Sequence, residues 1–222
     1  MALSERDARQ MLEPGRGVYD THRAAALSGV PVTTLHYWVR TGLYTPSISP
    51  APRTRLWSWA DLLALRAIDW FRKSDDARAK ARVVEIRHAL AELERAGYSR
   101  EDLSHILAVS ADDGRLYLQL PGKTVRAQRG QQVAMGQVLY LVAPYRNGPD
   151  LLQPRPLLRI IPGKLHGEPH IVGTRIPSLT IGALGQAGYT LEQIQGMYPD
   201  APAAALSEAI DFERSLVAPL AA

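Results

Sequence analysis

Between Asp20 and Gly42 the chain reads as helix, tight turn, helix, and that arrangement leaves few folds open to it. Asp20 is an N-cap for a short helix over Thr21 to Leu27, Gly29 supplies the turn, and Val30-Pro31 opens a second helix that runs to Gly42. On the second helix Val32, Leu35 and Val39 recur at spacings of three and four and are expected to face the core. Thr33, His36, Tyr37 and Arg40 project elsewhere, and their donors and acceptors suit phosphates and base edges. In the following LYTPSISPAPRTRLWSW, from Leu43 to Trp59, three prolines exclude helix, and Arg53 and Arg55 precede an apolar-aromatic return strand, the pattern of a β wing. Ser58 then caps WADLLALRAIDWFRK, whose Leu62, Leu65, Ile68 and Trp70 or Phe71 close a small core. Residues 1–73 are therefore predicted to form a complete winged helix-turn-helix. Such a unit needs aromatics to fill it, so Tyr37, Trp38, Trp57 and Trp59 are read as core rather than as platforms for stacking bases.

Charge supports a polyanion near this end. Residues 1–73 hold ten Lys/Arg against six Asp/Glu, residues 74–150 eleven against ten, and residues 151–222 five against six, so the net charge of +4 sits in the first third. The 222 residues contain no cysteine, which excludes disulfides, thiolate nucleophiles and cysteine-based metal sites. The first residues lack the apolar core of a signal peptide, and no stretch approaches the roughly 20 apolar residues of a membrane span, so a soluble, cytoplasmic protein is expected.

Downstream, Asp75 to Gly97 reads as a helix with Val83, Ile86, Leu90 and Leu93 in one apolar seam. Such a seam serves equally well for packing on its own domain or for dimerisation. Residues 112–143 alternate as GRLYLQL, KTVRA and QQVAMGQVLYLV, consistent with short strands in hairpins, so residues 74–143 are a connecting helix and small β unit. The Pro- and Gly-rich residues 144–156 read as a linker. Residues 157–222 carry a Ser178-capped helix to Ala187, a second helix from Leu191 to Met197 and a third from about Pro202 to Leu216. Ala96 to Leu103 and Ala187 to Ile194 share a punctuation: Gly ends one helix and Ser or Thr caps the next. The fold class expected is mainly α with a small β unit.

Thr34-Leu35-His36-Tyr37-Trp38, Gly42-Leu43, Arg55-Leu56-Trp57 and Asp61-Leu62 together resemble the MerR-type winged helix, whose pattern runs T-L-R-Y-Y, G-L, R-x-Y and D-L. The resemblance implies DNA contacts from Thr34, His36, Tyr37 and Arg40 on the helix and from Arg53 and Arg55 on the wing, and Thr33, on the outward face of the same helix, is expected to join them. Solvated surface arginines are the alternative for Arg40 and Arg55. His36 stands where the family has arginine, which removes a permanent cation, and Arg53-Thr54 replaces a Gly-Tyr pair before the wing arginine.

Gly167-Glu168-Pro169-His170-Ile171-Val172-Gly173-Thr174-Arg175-Ile176-Pro177, then Gly188 to Ile194 and Tyr198-Pro199, resembles over about 60 residues the domain-of-unknown-function 433 family. That family, joined to a MerR-like head, is similar to VapB-type antitoxins encoded beside PIN-type ribonuclease toxins. The resemblance implies such a toxin as partner, with Gly173, Thr174, Arg175, Ile176 and Pro177 either touching it or forming a turn that positions a helix, Arg175 then bonding nearby carbonyls. The tail after Leu216 is short and uncharged, so a toxin would have to be held by folded surface or by the linker.

No catalytic constellation is found. His166-Gly167-Glu168-Pro169-His170 lacks the helix that would align two imidazoles for a metal; Glu92, Glu94, Glu101 and Asp102 read as solvated charges; and Gly15-Arg16-Gly17 and Gly130 lack a phosphate-loop context. The expectation is a non-enzymatic chain: a homodimer on an inverted-repeat operator that represses its own operon and neutralises a PIN-type toxin, with no metal, cofactor or membrane. The alternative is a stand-alone MerR-like regulator whose C-terminal domain senses a ligand or protein.

Overall fold

The structure, a computed structural model, describes residues 16–51, 54–73 and 142–217, together with 83, 84, 86, 87, 91, 95, 109, 110, 116–120 and 123–126. It is mainly helical with small antiparallel β elements, as the patterning predicts.

The head begins with α1 (Thr21–Ser28), whose N-cap Asp20 accepts from the Arg23 amide at 2.8 Å, and whose end is turned by Gly29 at φ +75°. Helix α2 (Val32–Arg40) follows, beginning from Pro31 without a side-chain cap. The wing is a hairpin of β1 (Ile48–Ala51) and β2 (Thr54–Leu56), with Ile48 opposite Leu56 and an irregular register before Ala51 meets Thr54. Helix α3 (Trp59–Lys73) closes the head. Leu62, Leu65 and Ile68 are buried on it as expected, while the side chains of Trp70 and Phe71 lie outside the described residues. Ser58 does cap this helix, reciprocally with Asp61: the Ser58 amide donates to Asp61 Oδ2 at 2.7 Å and the Asp61 amide to Ser58 Oγ at 3.2 Å.

In the middle, the six described positions between 83 and 95 are helical, with Ile86 buried and Val83 half-buried; Leu90 and Leu93 of the seam lie outside the described residues, as does the first copy of the shared punctuation. Strands β3 (Val109–Ser110), β4 (Leu116–Leu120) and β5 (Lys123–Arg126) form an antiparallel sheet in which Tyr117 faces Arg126 and Leu120 faces Lys123. Of the third alternating run, residues 131–141 lie outside the described residues. Its last member, Val142, is helical rather than extended, and its carbonyl accepts from the Leu151 amide at 2.7 Å.

The stretch 144–156, read as a linker, lies packed on the head. Leu151 is fully buried, and residues Tyr145–Gly148 make a tight turn closed by hydrogen bonds of 3.0 and 2.7 Å. Buried Arg66 of α3 fastens it. The guanidinium donates to the Leu27 and Ser28 carbonyls at the end of α1, at 2.7 and 3.2 Å, and to the carbonyls of Ala143, just before this strap of residues 144–156, and of Pro149 within it, at 2.6 and 2.5 Å. Burial pulls its pKa down to about 9, still well above neutrality, so it remains a cation facing carbonyl oxygens.

The C-terminal part contains a two-stranded ladder of β6 (Leu158–Arg159) and β7 (His170–Ile171), then α4 (Ser178–Gln186), α5 (Leu191–Met197) and α6 (Ala203–Val217). Thr190 and Gln193 form the expected capping box. Ser178 corrects the reading: Pro177 occupies the cap position, and Ser178, inside the helix and buried, turns its hydroxyl to donate to Glu213 on α6. Gly182 lets α4 and α6 close up, since a Cβ there would come within 2.5 Å of Glu213 Cβ. The buried apolar residues of head and C-terminal part belong to one continuous cluster, from Leu27 and Trp38 through Leu151 to Phe212 and Leu216.

Candidate nucleic-acid interface

Helix α2 has two distinct faces. Leu35 and Trp38 are fully buried, and Val32 and Val39 are half-buried against the same core. Thr33, His36, Tyr37 and Arg40, at steps of three and four, are exposed along the opposite face, and Thr34 is half-buried between the two faces. Tyr37 therefore departs from the other three aromatics read as core: Trp38, Trp57 and Trp59 are buried, but Tyr37 is 43% exposed. The helical period accounts for this, because Trp38 already fills the inward direction and its neighbour must point away. The Arg40 guanidinium sits 5.8 Å over the Tyr37 ring, so the arginine is presented from an aromatic platform instead of ranging freely.

On the wing, Thr54 and Arg55 are exposed, whereas Arg53 lies outside the described residues. What sets the wing's position is Asp61, fully buried and accepting from the Tyr44 hydroxyl at 2.7 Å, the Ser47 amide at 3.1 Å, the Ser47 hydroxyl at 2.8 Å and the Ser58 amide at 2.7 Å. A buried carboxylate is tolerable when its lone pairs are filled in this way, and here it ties both ends of the wing to the start of α3. The Ser58-to-Asp61 spacing marks the cap in the sequence; the reach to Tyr44 and Ser47 does not show there.

A second charged cluster joins this head to the C-terminal part. Arg23 of α1 donates to Glu168 from Nε at 3.0 Å and Nη2 at 2.8 Å, and to Glu213 from Nη1 at 2.7 Å and Nη2 at 2.9 Å. Burial opposes the charge on Arg23, but the bonds to Glu213 and the charges of both carboxylates outweigh it and keep it protonated. One guanidinium shared by two acids leaves Glu168 under-compensated, and burial pushes its pKa above the ordinary carboxylate value. Close by, the Tyr19 hydroxyl donates to the Gly167 carbonyl at 2.8 Å and the Val18 amide to the His166 carbonyl at 2.8 Å. Burial, with Glu168 adding to it, raises the Tyr19 pKa, so the phenol keeps its proton.

Glu168 and His170 thus have structural occupations, whereas His166 is exposed and takes part through its backbone carbonyl. Glu168 holds Arg23, while His170 is buried with its Nδ1 at 3.1 Å from the Glu168 carbonyl and its pKa lowered by that burial. Among the described residues no group of three or more His, Asp or Glu is placed to hold a metal ion. Glu92, Glu94, Glu101, Asp102, Gly15 and Gly130 lie outside the described residues.

The Gly173 to Pro177 motif forms a tight turn between β7 and α4. Gly173 adopts φ +77°, Thr174 Oγ1 donates to the Ile171 carbonyl at 2.9 Å and accepts from the Ile176 amide at 3.1 Å, and the Ser178 amide donates to Pro169 O at 2.7 Å. Thr174 is therefore the residue that bonds nearby backbone. Arg175 is exposed and makes no hydrogen bond or ion pair with any described residue, with exposed Val172 and Leu179 on either side of it in the chain.

Residues 19–78 match the model of the MerR HTH family regulatory protein, and residues 159–212 match that of the protein of unknown function DUF433. The chain thus joins a MerR-family helix-turn-helix domain to a DUF433 domain. The MerR-type domain implies a DNA-binding regulator. No curated protein matches the chain. Among solved structures, it is similar to the crystal structure of Rv2018 from Mycobacterium tuberculosis, at 15% identity over 87% of this chain and 96% of that one, with a TM-score of 0.45. Among the described residues no helix is long and apolar enough to cross a membrane.

Proposed function

From a MerR-family head joined to a DUF433 domain, we propose that this chain is the DNA-binding antitoxin of a type II toxin-antitoxin pair, without enzymatic activity of its own. It binds and neutralises a PIN-type ribonuclease and, as a homodimer on an inverted-repeat operator, represses its own operon. The observation that supports the DNA half best is the exposed Thr33, His36, Tyr37 and Arg40 face of a helix whose other face is locked into the core by Leu35 and Trp38. Thr34 and the wing's Arg53 and Arg55 complete the proposed contact set. For the partner half, the support is Arg175, a cation without a partner among the described residues, on the Gly173–Pro177 turn and next to exposed Val172 and Leu179.

The test has two arms. Full-length protein titrated onto the duplex upstream of its own coding sequence should lose affinity steeply as salt rises, and replacing Arg40 and Arg55 together with Ala should weaken binding and flatten the salt slope by about 2. Insensitivity to both salt and the double substitution refutes the DNA interface. In the second arm, the product of the neighbouring gene should co-purify with this chain and lose its ribonuclease activity. Failure to co-purify removes the antitoxin assignment and leaves a stand-alone regulator.

A further inference from the structure

The strap at residues 144–156 is clamped to the turn of the helix-turn-helix more tightly than a connection requires. A Cβ on Gly29 would lie 2.4 Å from the Tyr145 carbonyl and 2.7 Å from the Gly148 amide, so backbone meets backbone with no room for a side chain. Arg66 holds both ends of this contact, as described above. At the tip, Arg146 adopts φ +51°, a region that a non-glycine residue seldom enters, and is kept there by Asp69 Oδ2 at 2.9 Å and the Tyr145 hydroxyl at 3.1 Å. Asn147, next along the tip, is exposed.

This places Asn147 at the edge of a groove of about 430 Å³ that it shares with His22 of α1 and Thr33 of α2. Ala25, Ala26 and Leu216 also line the groove, small or apolar side chains that let a sugar approach closely. His22, Thr33 and Asn147 come from three separate elements and offer hydrogen-bonding groups suited to an anion. Helix α2 starts here without a side-chain cap; the Thr34 and Leu35 amides donate to the Pro31 carbonyl, which leaves those of Val32 and Thr33 for an outside acceptor. In helix-turn-helix complexes the start of the recognition helix enters the groove while the first helix crosses the backbone, so a groove that runs along α1 and through the turn to the start of α2 lies where a DNA strand passes.

We propose that this groove is a docking site for the DNA sugar-phosphate backbone, and that the strap, through Asn147, belongs to the DNA interface. The inference rests on the DNA-binding reading and adds to it an element outside the MerR-type domain. A backbone contact is indifferent to sequence, which gives it a distinct signature.

The experiment compares wild type, Asn147→Asp and His22→Glu, all full length, on two labelled duplexes: the region upstream of the gene and a random sequence of equal length. Both substitutions should weaken binding by about tenfold, equally on the two duplexes. Because both side chains are exposed, and an acid in the first turn of α1 suits the helix dipole, urea unfolding midpoints should stay at the wild-type value. Should Asn147→Asp alter unfolding, His22→Glu on a separate element carries the test. Wild-type affinity in both variants overturns the proposal, and so does weakening confined to the upstream duplex. If wild type binds neither duplex, the DNA-binding reading fails first, which the Arg40 and Arg55 arm reveals independently.

Discussion

Replacing Arg23 with Met tests whether the shared guanidinium holds the two parts of the chain together. The substitution keeps the length and apolar stem of the side chain but leaves Glu168 and Glu213, 20% and 6% exposed, facing each other without their cation. Breaking a buried pair by removing one partner costs about 3–5 kcal/mol when the remaining charge stays charged. Taking up a proton limits the damage. At pH 7 a carboxyl with the ordinary value of 4.5 sits about 2.5 units above its pKa, so neutralising it costs about 3.4 kcal/mol. Glu213 keeps the hydroxyl of Ser178 as a donor, so Glu168 is the one expected to neutralise. The loss at pH 7 should thus be about 3–4 kcal/mol. Near pH 5 the same proton costs about 0.7 kcal/mol, so the loss should shrink to about 1–2 kcal/mol once the missing hydrogen bonds are included. Urea unfolding followed by tryptophan fluorescence and by circular dichroism at the two pH values measures both numbers, with buried Trp57 and Trp59 reporting on the head. A loss below about 1 kcal/mol at pH 7, or the same loss at both pH values, would show that the cluster does not act as a charged lock.

The remaining predictions concern the same framework. Gly29→Ala and Gly173→Ala impose the same left-handed backbone cost of about 1–2 kcal/mol, but only Gly29 has backbone within 3 Å of the new Cβ. Thermal unfolding should show Gly29→Ala losing clearly more than Gly173→Ala, and equal losses would remove the strap contact from the account. For Glu168, whose folded pKa is raised, protonation favours the folded chain: that contribution is fully present below the unfolded value and fades as pH rises through the folded one. Glu168→Gln, still offering an oxygen to Arg23, should therefore cost little stability near neutrality and remove part of the gain on acidification seen in wild type. A pH dependence unchanged from wild type in urea midpoints would assign the effect to another group.

Much of the head was legible because local rules and core packing agree there. Asp20 caps its helix, Gly29 turns the chain, and Leu35 points inward as the spacing requires. The exposed series at Thr33, His36 and Arg40 follows from the same period. Tyr37 shows where residue type misleads: an aromatic side chain suggests core, but its place on the helix, one step before Trp38, sends it outward. In the C-terminal part the capping box at Thr190 is local and readable, whereas Ser178 reads as a cap and is not one, because a serine at a helix start looks the same whether it caps the backbone or reaches another helix.

The sequence by itself determined the elements, their faces and the two domain resemblances, since helix caps, turns and apolar periods act over a few residues. Only the tertiary structure decided that residues 144–156 form a strap instead of a free tether, and that head and C-terminal part share one core. The groups responsible are Arg66, at four carbonyls from two segments, and Arg23, at two glutamates some 145 and 190 residues away. A cation on an apolar helix face carries no mark of its partners in the sequence. Its partners are set by which backbone oxygens and carboxylates the fold leaves unpaired beside it, and by the free-energy cost of burying them unmet.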